Sequence, residues 1–205
     1  MTAAAPATAP EHADVRTIVG GGIKLGVITT VGVVGFALLA RSLSGTVANV
    51  ALSALVLMGG ALVAYLPSVW VRPRSVDGIA WSALVGLLGA LVFTVLDVAV
   101  LRPLSVYPWT WDEIGGGSGF WYIPVWWMGS AFLAWLGAWI ASQRLGERDD
   151  ANPLMAGVQT AGLGAILFAV LAAVGAIPFH PAAAALGFAV ALVVHVPLAA
   201  AMHRR

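Results

Sequence analysis

Residues 79–101 read IAWSALVGLLGALVFTVLDVAVL, an apolar run interrupted by one ionisable side chain, Asp97. At a rise of ~1.5 Å per residue such a run crosses the ~30 Å hydrocarbon core of a bilayer as a single helix. It is too long for a strand and too apolar for the surface of a globule. Five more runs of the same kind flank it, at 17–40, 46–69, 120–142, 154–177 and 182–202. Of 205 residues 60% are hydrophobic and 9% charged, which leaves too few ionic groups to solvate a globule of this size. The expected fold is therefore all-α: a polytopic membrane protein with a single six-helix domain over 17–205. The first 16 residues, rich in Ala, Pro and Thr, are expected to form a mobile cytoplasmic tail.

Charge excludes several functions. Ten Lys and Arg against nine Asp and Glu leave a net +1, without the positive excess that nucleic-acid binding needs. The chain has no Cys, so disulfides, thiolate nucleophiles and Cys-ligated metals are out. No HExxH, GxSxG, phosphate loop or dinucleotide fingerprint occurs, and neither an enzymatic activity, a cofactor nor a metal is expected. The bilayer is the one partner that composition implies. A second copy or a membrane-complex partner is left open by the glycine-rich helix faces, for example Gly22 and Gly26.

Basic residues divide unevenly between the two sides. With both termini on one side, that side holds Arg16, Lys24, Arg72, Arg74, Arg144, Arg148, Arg204 and Arg205, and the other holds Arg41 and Arg102. The positive-inside rule then predicts cytoplasmic termini in an inner membrane.

The chain also resembles itself. LGALVFTVL (Leu88 to Leu96) aligns with LGAILFAVL (Leu163 to Leu171), and Gly32, Phe36, Ala37 and Leu39 carry a fainter copy. Met58 to Arg74 aligns with Met128 to Arg144, and Ala191, Leu192, Val193, Pro197 and Arg204 fall opposite Ala61, Leu62, Val63, Pro67 and Arg74. This register predicts three tandem helical hairpins, at about 17–70, 79–142 and 154–205, around a pseudo-threefold axis. It places Tyr65, Trp135 and His195 at equivalent positions.

The middle hairpin departs from the repeat by an inserted outer loop, 102–119, reading RPLSVYPWTWDEIGGGSG. Trp109, Trp111, Asp112 and Glu113 in it are candidates for binding or gating, since loops on a rigid scaffold carry specificity. His180, in the outer turn before the last span, is expected on the same side as Asp112 and Glu113. Within the membrane ionisable groups are costly and hence suspects. Asp97 is expected near the outer boundary, in a structural ion pair with Arg41 first and Arg102 second. His195 and Gln159, with Lys24, fall in the inner half and could line a polar vestibule. The function these features suggest is transporter-like or channel-like binding or passage of a small solute, gated by the outer loop. The alternative is a structural or interaction subunit docking through that loop.

Overall fold

A computed structural model describes residues 13–107, 122–147 and 151–203. Six helices account for nearly all of them: α1 (Val15–Ser42), α2 (Gly45–Val71), α3 (Val76–Leu96), α4 (Tyr122–Glu147), α5 (Pro153–Ala173) and α6 (Pro181–His203). Each is long and apolar enough to cross a membrane, and the chain is a multi-pass membrane protein.

Local chemistry sets the helix ends. Asp14 caps α1, its carboxylate accepting from the Thr17 amide at 2.9 Å and the Thr17 hydroxyl at 2.7 Å. These bonds hold the exposed Asp14 carboxyl below the usual range. Ser75 caps α3 by accepting from the Gly78 amide, and Asn152 caps α5 with Pro153 in its first turn. The fifth helix stops short of the expected residue 177. Gly175, at φ +72°, turns the chain left-handed and lets the Ala176 amide reach the Leu171 carbonyl, which closes the helix at Ala173. The third run does not end as an α-helix either. Asp97–Leu101 form a π-helical turn in which the Arg102 amide donates to the Asp97 carbonyl at 2.9 Å.

Lipid gives helices no hydrophobic reason to associate, so close approach and interhelical hydrogen bonds must hold the bundle. Glycine supplies the approach. A Cβ on Gly26 would lie 2.6 Å from the Val92 side chain, and one on Gly137 would lie 2.1 Å from the Ala64 carbonyl oxygen. Between α3 and α4, the Ser130 hydroxyl donates to the Gly86 carbonyl and the Trp127 indole donates to Thr94 Oγ1, both at 2.9 Å. Gly20, Gly59, Gly129 and Gly162 face open space instead. Large apolar side chains such as Val31, Leu38, Phe132, Ile166, Leu186 and Val193 point outward, where lipid would cover them.

The contacts give the helix directions. Gly22 meets Leu88 and Gly26 meets Val92, a constant offset, so α1 and α3 run parallel. Leu57 meets Gly164 while Tyr65 meets Gly157, and Gly164 meets Phe188 while Thr160 meets His195, so α5 runs antiparallel to both α2 and α6. The helix α2 is the hub and packs against all five others. The even-numbered helices touch one another, as a threefold centre would have them. The odd ones do not follow: α1 packs closely on α3, yet neither makes more than marginal contact with α5. The packing is thus not that of three equivalent hairpins, because the seam between α1 and α3 has no counterpart.

Candidate functional site

Two polar constellations stand out, one near each end of the bundle. The one at the end where α1 begins and α6 finishes starts with Tyr65, six residues before the end of α2. Counting from the nearest helix ends, Tyr65, Thr160 and His195 lie ~9, ~10 and ~12 Å in and meet at one level. The Tyr65 hydroxyl and the Thr160 hydroxyl are 2.7 Å apart, and Thr160 Oγ1 is 2.7 Å from His195 Nδ1. All three are buried. Thr160 also approaches the Ala156 carbonyl at 2.9 Å.

One hydroxyl with one hydrogen therefore faces three neighbours. If Thr160 donates to Ala156, it must accept from Tyr65 and from a protonated His195 Nδ1, which leaves His195 Nε2 as an acceptor. If Thr160 donates to Nδ1, then Nε2 carries the hydrogen and becomes a donor. Rotation of the Thr160 hydroxyl is thus linked to the histidine tautomer. The prolines Pro67 and Pro197 each follow a member of this cluster by two residues and remove one helix hydrogen bond.

Beside the buried triad, Arg144 on α4 donates to the Gln159 side-chain oxygen at the rim. This bond holds the guanidinium one residue along α5 from Thr160. Gln159 and His195 thus share an end of the bundle but not an environment, for Gln159 is exposed and His195 buried. Lys24 lies apart from them, exposed on α1 with its ammonium 6.0 Å from the Trp70 ring centroid.

The constellation at the opposite end centres on Asp97, whose residue is 4% exposed. Its Oδ2 accepts from Arg102 Nε at 3.1 Å and its Oδ1 from the Tyr107 hydroxyl. Burial and the neighbouring carboxylate push the Tyr107 hydroxyl well above the usual phenol range. Arg41 is found elsewhere. It donates to the carbonyls of Ser105 and Val106 at 2.9 and 2.6 Å and ties α1 to the start of the inserted loop. The π-helical turn explains this order: it swings Arg102 back over Asp97, which leaves Arg41 to satisfy carbonyls that no helix uses.

His180 is exposed and accepts from the Ala182 amide at 3.3 Å, capping α6. Trp109, Trp111, Asp112 and Glu113 lie outside the described residues. Among the described residues no group of three His, Asp or Glu side chains is placed to hold a metal ion. An open groove beside Asp77, Ala80, Trp81 and Leu84 flanks the start of α3 and gathers, among the described residues, no polar groups beyond Asp77.

No family model, curated protein or solved structure matches this chain.

Tyr65 and Thr160 were missed when the sequence was read for ionisable groups, because neither is charged at neutral pH. A signal for Tyr65 did exist. The alignment read from the sequence sets it opposite His195, which is buried like it, although Trp135 at the same position is exposed.

Proposed function

We propose that the protein binds or passes a small solute across the membrane, as a transporter or channel does. The observation that carries this reading is the buried Tyr65–Thr160–His195 cluster. Helices can be held together by glycine contacts and serine or threonine hydroxyls alone. A phenol, a hydroxyl and an imidazole brought to one level from three helices are costly in a bilayer unless they serve a ligand or proton path. The outer loop, 102–119, with Trp109, Trp111, Asp112 and Glu113, is the proposed gate or recognition element, and Asp97 with Arg102 and Tyr107 anchors its first residues. Both termini are proposed to be cytoplasmic in an inner membrane, which the eight-to-two division of Lys and Arg supports. The sequence repeat supports descent from a hairpin copied twice, its copies since diverged in packing.

Flux in proteoliposomes tests the reading. The purified protein is expected to accelerate entry of some members of a panel of anions, cations and neutral solutes. Thr160→Val, which keeps the shape but removes the hydroxyl, should abolish that flux with folding retained. Flux that persists unchanged in Thr160→Val removes the cluster from the pathway.

A second reading, a subunit of a larger membrane complex, is favoured by the closed seam between α2 and α4, where Gly137 lies directly against the Ala64 backbone. A rigid seam suits a scaffold. Native mass of the detergent-purified particle separates the two, since a stable heterologous partner supports the subunit reading and a homo-oligomer with flux supports transport.

A further inference from the structure

The inner polar cluster has a one-sided chemistry. Arg144 gives it a permanent positive charge, and its bonded partner is the neutral Gln159 amide. Among the side chains that the structure describes no carboxylate joins this cluster. The polar groups gathered with His195 from the helices packed against α6 are Thr160 on α5, which bonds it, Tyr65 on α2, which bonds Thr160, and Arg144 on α4, which bonds the adjacent Gln159. A half-buried guanidinium beside an apolar core, with hydroxyls and an imidazole behind it, is bonded among the described side chains to a neutral amide rather than to a counter-charge.

A separate observation points the same way. Ser68 is fully buried and its hydroxyl has no hydrogen-bond partner. Three residues beyond Tyr65, it shares the α2 face that Tyr65 turns to α5. A serine inside an apolar helix ordinarily donates back to its own helix, as Ser82 does to the Gly78 carbonyl at 3.0 Å. Ser68 does not, and a buried donor left unsatisfied is costly.

We infer that this inner cluster is a binding site for a small oxyanion, a carboxylate or phosphate, with Arg144 supplying the charge and Ser68 and His195 supplying donors. The inference rests on the transport reading in one respect: the oxyanion is then the solute class. The Thr160 rotation gives the site two forms. With Thr160 donating to Nδ1, Nε2 presents a hydrogen, which suits an anion. With Thr160 turned to Ala156, Nε2 presents a lone pair, which repels it. Arg144 and Ser68 each lie ~4–5 Å from the nearest helix end and His195 ~12 Å, so an anion entering there meets the charge and the Ser68 hydroxyl before the imidazole.

The test uses the full-length protein in detergent, with acetate, inorganic phosphate and tetramethylammonium chloride as probes at equal ionic strength. Acetate or phosphate should raise the unfolding temperature saturably, and tetramethylammonium should not. Arg144→Gln should weaken the apparent affinity roughly 10- to 100-fold, the loss typical of one charged hydrogen-bond partner. Ser68→Ala should weaken it less, and Arg144→Lys should retain part of it. Arg16→Gln, an equal loss of charge on the exposed first turn of α1, should change nothing. No saturable response to either anion, or the same response in Arg144→Gln and Arg16→Gln, overturns the inference. If Arg144→Gln fails to fold, Arg144→Lys and Ser68→Ala decide it, and wild-type affinity in both overturns it. Nanodiscs of phosphatidylcholine with and without phosphatidylglycerol separate the two sources of oxyanion. Occupancy by the anionic lipid that excludes acetate and phosphate overturns the solute assignment and gives the site to a headgroup. Saturable anion binding without flux keeps the site and overturns transport. Flux of a cation or neutral solute that Arg144→Gln leaves unchanged keeps transport and overturns the anion.

Discussion

Substituting Gly137 by alanine tests the packing account most directly. The added Cβ would lie 2.1 Å from the Ala64 carbonyl oxygen, 2.6 Å from the Ala64 carbonyl carbon and 3.1 Å from its Cβ. A carbon and a carbonyl oxygen in contact stay ~3.3 Å apart, so α2 and α4 must part by roughly 1 Å at this seam. The obstacle is backbone, which cannot rotate away as a side chain does. Overpacking typically costs ~1–3 kcal/mol, and a clash with backbone belongs at the upper end of that range. Ala64 is also next to Tyr65, so the same displacement moves the phenol that bonds Thr160. The comparison variant is Gly162→Ala on the open face of α5, where a Cβ meets nothing within 4 Å. There alanine should be neutral or stabilise by ~0.5–1 kcal/mol through helix propensity. Reversible unfolding in mixed micelles reads the difference. Equal stability of the two variants would refute the assignment of that seam as a backbone-to-backbone contact.

Further outcomes follow from the outer constellation and the topology. Asp97→Asn should destabilise by ~1.5–3 kcal/mol, the range for hydrogen bonds to a charged group, reduced where water reaches the partly exposed Arg102. In double-mutant cycles Asp97 should couple more strongly to Arg102 than to Arg41, and the reverse order would contradict the geometry. Tyr107, with its hydroxyl raised, favours its protonated form in the fold. Its contribution should be complete below the ordinary phenol range near ~10 and be lost only as pH rises beyond it. Absorbance titration checks this, because Tyr107→Phe should remove a late-ionising tyrosine, and an ordinary titration of Tyr107 would count against its bond to Asp97. Ser105→Gly should stabilise by up to ~1 kcal/mol by relieving a left-handed residue at φ +50°, read by the same unfolding assay. For topology, a cysteine at Ser44 should react with an impermeant maleimide on intact cells and one at Ser75 should not. The opposite pattern inverts the proposed orientation.

The number of membrane spans was legible because a bilayer imposes length and apolarity on every crossing. The ends of α1 and α2 fall within two residues of those expected, whereas α5 stops at Ala173 because Gly175 takes a backbone angle that composition does not announce. Helix neighbours were less legible. Small residues mark a close contact without naming its partner, and nothing in Gly26 says Val92. The partner of Asp97 was misread between two arginines at one depth, since the choice depends on a π-helical turn that hydropathy does not encode. Tyr107 belongs to the loop 102–119 that the sequence offers as a gate. Its bond to Asp97 places the dispensable segment further along, and a Gly-Ser replacement that spares Tyr107 is the sounder test of the loop.

The two interior prolines have a mechanical consequence. Pro67 and Pro197 leave the carbonyls of residues 63 and 193 without their usual helix donors, in the two helices that carry Tyr65 and His195. Proline is among the few causes of sharp bending in long helices. Beyond Pro67 the last turn of α2 is held by the buried Val71 against Ile18 and Val85, so it is the end of α6 beyond Pro197 that can tilt as a lever, while the part of each helix before its proline stays locked by glycine contacts such as that of Gly60 with Phe188. The fulcrum of such a movement lies beside His195 at the level of Thr160, so a swing of the end of α6 would stretch or shorten the span from phenol to imidazole.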